Sequence, residues 1–379
     1  MDIHNHKFII FGSYGANALG QIRGLGEKNI KPIAVLVGKN SYRIDKSKYI
    51  SELFNVSTIE DGLSLIISEF GNEPNLPFLY TDRDDIMGLL DRHFEILKDK
   101  FYLWNAGKSG RLCYYLNKNN QIQLAEECGF QIPKTEKVKV GEMPSYLAFP
   151  IFTKAVDSLN PYWKGCANIC YNKHNLEDVY RHLDSKQILL QEYIEKKSEL
   201  PLEGISLNGG EEIVILGRTV YCNLRKDSFG TYRYVEPYHN QELESKIKMM
   251  VQRVHYTGAF EIEFIIDKND ELFFLEINFR IAQQNYGYVL LGANIPYIYA
   301  LSTLEGHIAY DEIHYLPKRK VYIMHEFEDF KHSVLHKEIS LYKWLCNFFS
   351  SDCYSFYNRK DKAPFYYTLL SKCLNVLQR

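Results

Sequence analysis

No stretch of this sequence approaches the roughly 20 consecutive apolar residues that a membrane-spanning helix needs. The first hydrophobic run, in "MDIHNHKFIIFG", is four residues long before Gly12, too short for a secretory signal. An excess of one charge is also missing. With 45 Lys and Arg against 47 Asp and Glu, there is no electrostatic case for nucleic acid as a partner. These absences predict a cytoplasmic protein without a membrane span, and leave peripheral contact with a membrane open. The eight cysteines form no closely paired framework, and Cys166 and Cys170 lack the second pair that a zinc site requires, so reduced, mostly buried thiols are expected. Internal repeats and low-complexity segments are absent. Gly12, Gly15 and Gly20 miss the G-x-G-x-x-G spacing, which favours tight-turn packing over a dinucleotide site.

What is present suffices for two or three domains with substantial cores: 379 residues, 46% of them hydrophobic. The 29 Tyr and 22 Phe are scattered and read as core and pocket walls. "KFIIFGSYGANALGQIRGLGEKNIKPIAVLVG" reads strand (7–11), glycine turn, helix (18–28), strand (32–37), a βαβ unit. "PFLYTDRDD" is a further strand ending in a polar loop, and this first domain is expected to end near residue 115. A helix over "NKNNQIQLAEECGF" closes at Gly129. Strands "FPIFTKAV" and "QILLQEYIEK" flank the amphipathic helix "NLEDVYRHLDS". After a polar loop come strand "EEIVILGRTVYCNLRK" and helix "NQELESKIKMMVQRVHYTG". The tail from residue 316 is expected to be helical, with "LYKWLCNFFS" as one helix and a last one after "KDKAPF".

Chemistry concentrates in "GAFEIEFIIDKNDELFFLEINFR", residues 258–280. Period-two alternation on either side of a "DKND" turn predicts a β-hairpin. A two-residue loop at Asn269 and Asp270 sets Lys268 against Glu271, Glu263 against Glu276 and Glu261 against Asn278. All five polar side chains, Arg280 included, then share one face, while Ile262, Phe264, Leu275, Ile277 and Phe279 pack into a core. Directly opposed carboxylates destabilise a ladder by roughly 0.2 to 1 kcal/mol per pair. Two carboxylates with an amide oxygen form an all-oxygen set suited to Mg²⁺, which completes its shell with water and phosphate oxygens. Arg280 could hold a phosphate or carboxylate bidentately.

The order of these parts resembles an ATP-grasp ligase over roughly residues 5–310. The spacing Glu263, Glu276, Asn278 carries most of the resemblance. It implies a Rossmann-like α/β leader (1–115), a two-subdomain α+β ATP-grasp domain (116–190 and 191–315) and a tail (316–379). By resemblance, Glu263, Glu276 and Asn278 hold Mg²⁺, for which Mn²⁺ can substitute. Lys154 in "FPIFTKA" and Lys118 in "LNKNN" contact the ATP phosphates. "LLQEYIEKKSEL" matches the adenine hinge: the backbone at Gln191, Tyr193 and Ile194, the Glu192 carboxylate on the amino group, and Glu199 on the ribose. Arg225 is a further phosphate candidate, and Arg280 a candidate for the acyl substrate or oxyanion. Three departures stand out: the loop 157–168 is poor in glycine where the family has a glycine-rich lid, "EYIEKKSE" has no glycine, and Phe279 replaces a common proline. The chain looks most like the bacterial carboxylate-amine ligases related to D-aspartate ligase and to carbamoyl-phosphate-synthase-like proteins. The resemblance implies ATP-driven joining of a small carboxylate to an amine through an acyl phosphate, and allows a homodimer. A bicarbonate-activating ligase and a nucleotide-binding module without catalysis are the competing readings. Gln283, Gln284, Asn285 and Tyr286 either reach the reacting centre or cap a helix.

Overall fold

Strand Phe8–Ser13 carries side chains that are almost wholly buried on both faces, as a central parallel strand requires. It pairs in parallel with Ile33–Val37 on one side and Phe78–Thr81 on the other. Leu53–Val56 and Tyr102–Leu103 close the edges of this five-stranded parallel sheet, a Rossmann-like winding. A computed structural model describes residues 2–40, 42–156, 163–223, 230–317 and 320–377. In helix Ala16–Glu27, a Cβ added at Gly20 would lie 2.2 Å from Asn285 Oδ1. The glycine lets this helix approach helix Asn285–Leu291, so its role is packing, as the missing dinucleotide spacing implied.

Two further sheets follow, giving the α+β part of the fold; the smaller is antiparallel, and the larger is antiparallel except for its last strand pair. The smaller has the order Thr135–Lys139, Gln187–Glu192, Ile151–Lys154, Asn168–Cys170, and helix Lys173–Arg181 covers its own small core around Leu176 and Ile188. The larger has seven strands, in the order Leu272–Asn278, Gly258–Asp267, Lys196–Leu207, Glu212–Tyr221, Tyr232–Glu236, Val321–Met324, Cys353–Tyr354.

Two elements differ from the sequence expectation. The segment read as a polar loop before "EEIVILG" is the 12-residue strand Lys196–Leu207, between the hairpin and Glu212–Tyr221. From Leu200 to Leu207 every residue is buried, and a strand enclosed on both faces shows no alternation to read. The tail is not purely helical: Val321–Met324 pairs antiparallel with Tyr232–Glu236, and Cys353–Tyr354 pairs in parallel with Val321–Met324. Strands of four and two residues are too short for periodicity to show. Helices Leu341–Ser350 and Ala363–Leu377 complete the chain.

The hairpin keeps the expected pairs at its open end but reaches them differently. Its loop has three residues, not two: the Asp267 amide donates to the Glu271 carbonyl at 3.0 Å, and Asp270 adopts φ 65°. Ile266, Ile265 and Phe264 then pair with Leu272, Phe273 and Phe274. An odd loop alone would put the acids on opposite faces. A β-bulge at Leu275 restores the register, and Glu263 meets Glu276 and Glu261 meets Asn278. The bulge turns Leu275 out of the core, where it was expected, and Phe274 takes that place.

Candidate functional site

Side chains from both of these sheets line a cleft of about 330 Å³. Lys118, Lys154, Gln191, Glu192, Tyr193, Ile194, Glu199, Glu263, Glu276, Asn278 and Arg280 all border it. Arg225 and residues 157–162 of the expected lid lie outside the described residues. Phe152, Ala155, Ile265 and Leu275 add an apolar lining to these charged groups. In the segment expected to form the adenine hinge, the Glu192 carboxylate accepts from the Lys134 amide at 3.3 Å, the Gln191 side-chain amide donates to Thr135 Oγ1 at 2.9 Å, and Glu199 is paired with Lys196.

Glu276 is the electrostatic centre. It accepts from Lys118 Nζ at 2.7 Å and lies 3.5 Å from Lys154 Nζ. Burial alone would raise its proton affinity, but the two ammonium groups outweigh burial and hold the carboxyl well below the usual range. Lys154 Nζ also donates to the Leu275 carbonyl at 3.1 Å, an acceptor turned toward the cleft by the bulge. Glu263, directly across the ladder, is the opposite case. Burial, then the carboxylates of Glu261, Glu276 and Glu199, push it well above the ordinary range, and Lys154 opposes them only in part. Asn278 Nδ2 donates to Glu263 Oε1 at 3.0 Å and reaches Glu261 Oε2 at 3.4 Å.

Among the described residues no three His, Cys, Asp or Glu side chains are grouped to hold a metal ion. The row here is two carboxylates and one amide, a set that suits a hard cation completing its shell with phosphate oxygens and water. Glu263, buried among other carboxylates, is where such a cation would relieve repulsion. The donor set therefore fits Mg²⁺.

Residues 118–286 match the family described as carbamoyl-phosphate synthase L chain, ATP binding domain. The chain has an ATP-grasp fold. L-amino acid ligase from Bacillus licheniformis superposes with a TM-score of 0.61 at 14% identity, covering 79% of this chain and 74% of that one. The biotin carboxylase domain of Hydrogenobacter thermophilus 2-oxoglutarate carboxylase, in complex with MgADP, ADP and bicarbonate, gives 0.61 at 16%, covering 82% and 72%. Rhizobium etli pyruvate carboxylase gives 0.62 at 13% over 82% of this chain, which spans only 31% of that protein. At these identities the likeness is one of fold. No curated protein sequence matches the chain significantly.

At and around the ATP-grasp cleft, Arg233 and Glu203 are side chains that nothing in the sequence marked. Arg233, on strand Tyr232–Glu236, borders the cleft and donates through Nη2 to Gln283 Oε1 at 3.2 Å. It sits in a short strand without a motif, and only the alternation of "YRYVE" could have assigned it to a face. Gln284 donates to Glu261 Oε1 at 2.6 Å, while Glu203 Oε1 accepts from the Ala282 amide at 2.8 Å. Of the four residues with two open readings, Gln283 and Gln284 border the cleft, and Gln284 makes no side-chain cap on the helix that follows. Asn285 and Tyr286 instead contact the leader, through Asn17 and Glu27. Arg280 is also tied to the leader: its Nε donates to Asp84 Oδ1 at 2.8 Å, at the start of helix Asp84–Arg92. Asp84, Asp82 and Glu261 outweigh burial and strengthen the hold of Arg280 on its proton.

Proposed function

We propose that this protein is an ADP-forming ligase that joins a small carboxylate to an amine through an acyl phosphate. The observation that carries this reading is the Glu276 carboxylate held by Lys118 and Lys154, opposite Glu263, in a cleft that Phe152 and Ile265 also line. The fold shared with an L-amino acid ligase supports it. Phe152, Ile265 and the strand end Gln191–Ile194 would take the adenine, and Glu199 the ribose. Lys118 and Lys154 would exchange the Glu276 carboxylate for phosphate oxygens, which frees that carboxylate. Mg²⁺, held by Glu263, Glu276 and Asn278, would neutralise phosphate charge and leave the γ-phosphorus open to attack. One carboxylate oxygen of the acid bonds to that phosphorus as the bond to ADP breaks. The amine nitrogen then attacks the acyl carbon, phosphate leaves, and the nitrogen loses its proton. Arg280, oriented by Asp84, is assigned to the acid and to the oxyanion that forms at the acyl carbon.

Hydroxylamine tests the intermediate. Supplied in place of the amine with Mg-ATP and a series of acids, it should yield a hydroxamate together with ADP and phosphate. Release of AMP and pyrophosphate would contradict the acyl-phosphate route, and ADP release that depends on bicarbonate but not on an organic acid would favour the bicarbonate-activating reading. Asp84→Ala should raise the KM for the acid roughly 3- to 10-fold, the scale of one partly exposed charge-assisted hydrogen bond. Its ATP affinity, measured by calorimetry, should be unchanged. A matching loss of ATP affinity would show that Asp84 supports the whole cleft rather than Arg280.

A further inference from the structure

The helix Ala363–Leu377 presents an apolar face to solvent. Pro364 and Thr368 face the protein, and Thr368 Oγ1 accepts from the Arg43 amide at 2.8 Å. On the other side Tyr366, Tyr367, Leu369, Leu370 and Leu374 are each 41–55% exposed. At helical spacing these positions sweep an arc of roughly 160°. Isolated exposed apolar residues need no explanation, but a contiguous face of them marks an interaction site.

Charge surrounds this face. The segment from Arg43 to Lys48 runs along the first turns of the helix, held by the Arg43 amide on Thr368 and by Ser47 Oγ and the Lys48 amide on Asp361. The Arg43 guanidinium and the Lys46 ammonium lie 5.8 and 5.9 Å from the centre of the Tyr367 ring. Lys48, Lys360 and Lys362 are exposed beside them. The acids paired with this rim are Asp45, bound by Arg43 and Lys46, and Glu27, bound by Lys360. Asp361 is withdrawn into a buried pair with Arg23. The rim is therefore net basic on a chain whose formal charge is −2.

We propose that this helix and its basic rim dock the protein onto an anionic membrane surface. Leu and Tyr side chains enter the headgroup region while Lys ammonium groups remain among the lipid phosphates, the arrangement of interfacial amphipathic helices. Among the described residues no helix is long and apolar enough to cross a membrane, so the contact is with the surface. Charge decides between this occupant and a second copy of the chain. In a two-fold contact the same patch meets itself, which would set one Lys-rich rim against another. An anionic bilayer complements both the apolar face and the rim.

Co-sedimentation with vesicles tests this. The full chain should bind vesicles containing about one third phosphatidylglycerol in phosphatidylcholine, and should not bind pure phosphatidylcholine. Salt of about 1 M, where the Debye length falls to about 3 Å, should release it. The double variants L370E/L374E and K46E/K362E, all at exposed positions, should each lower partitioning at least roughly tenfold with the circular dichroism spectrum unchanged. Absence of binding to anionic vesicles, equal binding to neutral ones, or binding that neither variant reduces would overturn the proposal. So would a dimer, seen by light scattering, that L370E/L374E converts to monomer, because a second copy would then be the occupant.

Discussion

Glu276→Gln is expected to lower ADP release by roughly 10²-fold or more, the scale of losing one preorganised charge contact at a reacting phosphoryl group. The variant keeps the volume of the side chain but removes the carboxylate that touches both Lys118 and Lys154. Two buried ammonium groups are left sharing a neutral amide, so the melting temperature should fall as well. Glu263→Gln separates the two effects. Glu263 is crowded by Glu261, Glu276 and Glu199, and neutralising it removes repulsion from the ligand-free protein. Its proton affinity in the fold is raised, so the stability associated with its protonated form is lost as pH rises above the ordinary carboxylate range. Glu263→Gln should therefore melt no lower than the parent at neutral pH and still lose most turnover. Thermal melts beside an ADP-release assay check both outcomes. Normal ADP release by either variant would remove that acid from the cation-binding role.

The largest expected effect on stability involves residues that do not line the cleft. Arg23→Met should cost about 3–5 kcal/mol in urea unfolding, the range for breaking a buried ion pair and leaving one charge behind. Arg23 Nε meets Asp361 Oδ2 at 3.0 Å with both side chains 1% exposed. Its Nη2 also donates to the carbonyls of Phe356 at 2.6 Å and Asp361 at 3.1 Å. These bonds tie the first helix of the leader to the turn before the last helix, and Ser47 and Lys48 complete the shell of Asp361. Removing the guanidinium leaves the Asp361 carboxylate buried without its cation. Replacing both partners, Arg23→Met with Asp361→Leu, should recover much of the loss, because an apolar pair leaves no stranded charge. A double variant no more stable than Arg23→Met would show that the backbone bonds of Arg23, rather than the ion pair, hold the tail.

The hairpin shows how far local reading reaches. Alternation of Glu and Asn with Ile and Phe was sufficient to pair Glu263 with Glu276 and Glu261 with Asn278, and those pairs are present. The same reading gave the wrong loop length and the wrong side for Leu275, since a bulge has no sequence signature and two errors of one residue cancel. Strand Lys196–Leu207 was missed for a related reason. Burial on both faces erases the alternation, and Pro201, Glu203 and Gly204 imitate a loop.

The sequence by itself determined the parallel leader, the acid row and the lysine on strand Ile151–Lys154, because strand periodicity, turn residues and short spacings are properties of neighbours along the chain. Tertiary structure alone decided which charges meet. Lys118 reaches Glu276 across 158 positions, Arg280 reaches Asp84 across 196, and Arg23 reaches Asp361 across 338. The strength of each pair depends on distance and on exclusion of water, which exist only once the sheets and helices have packed.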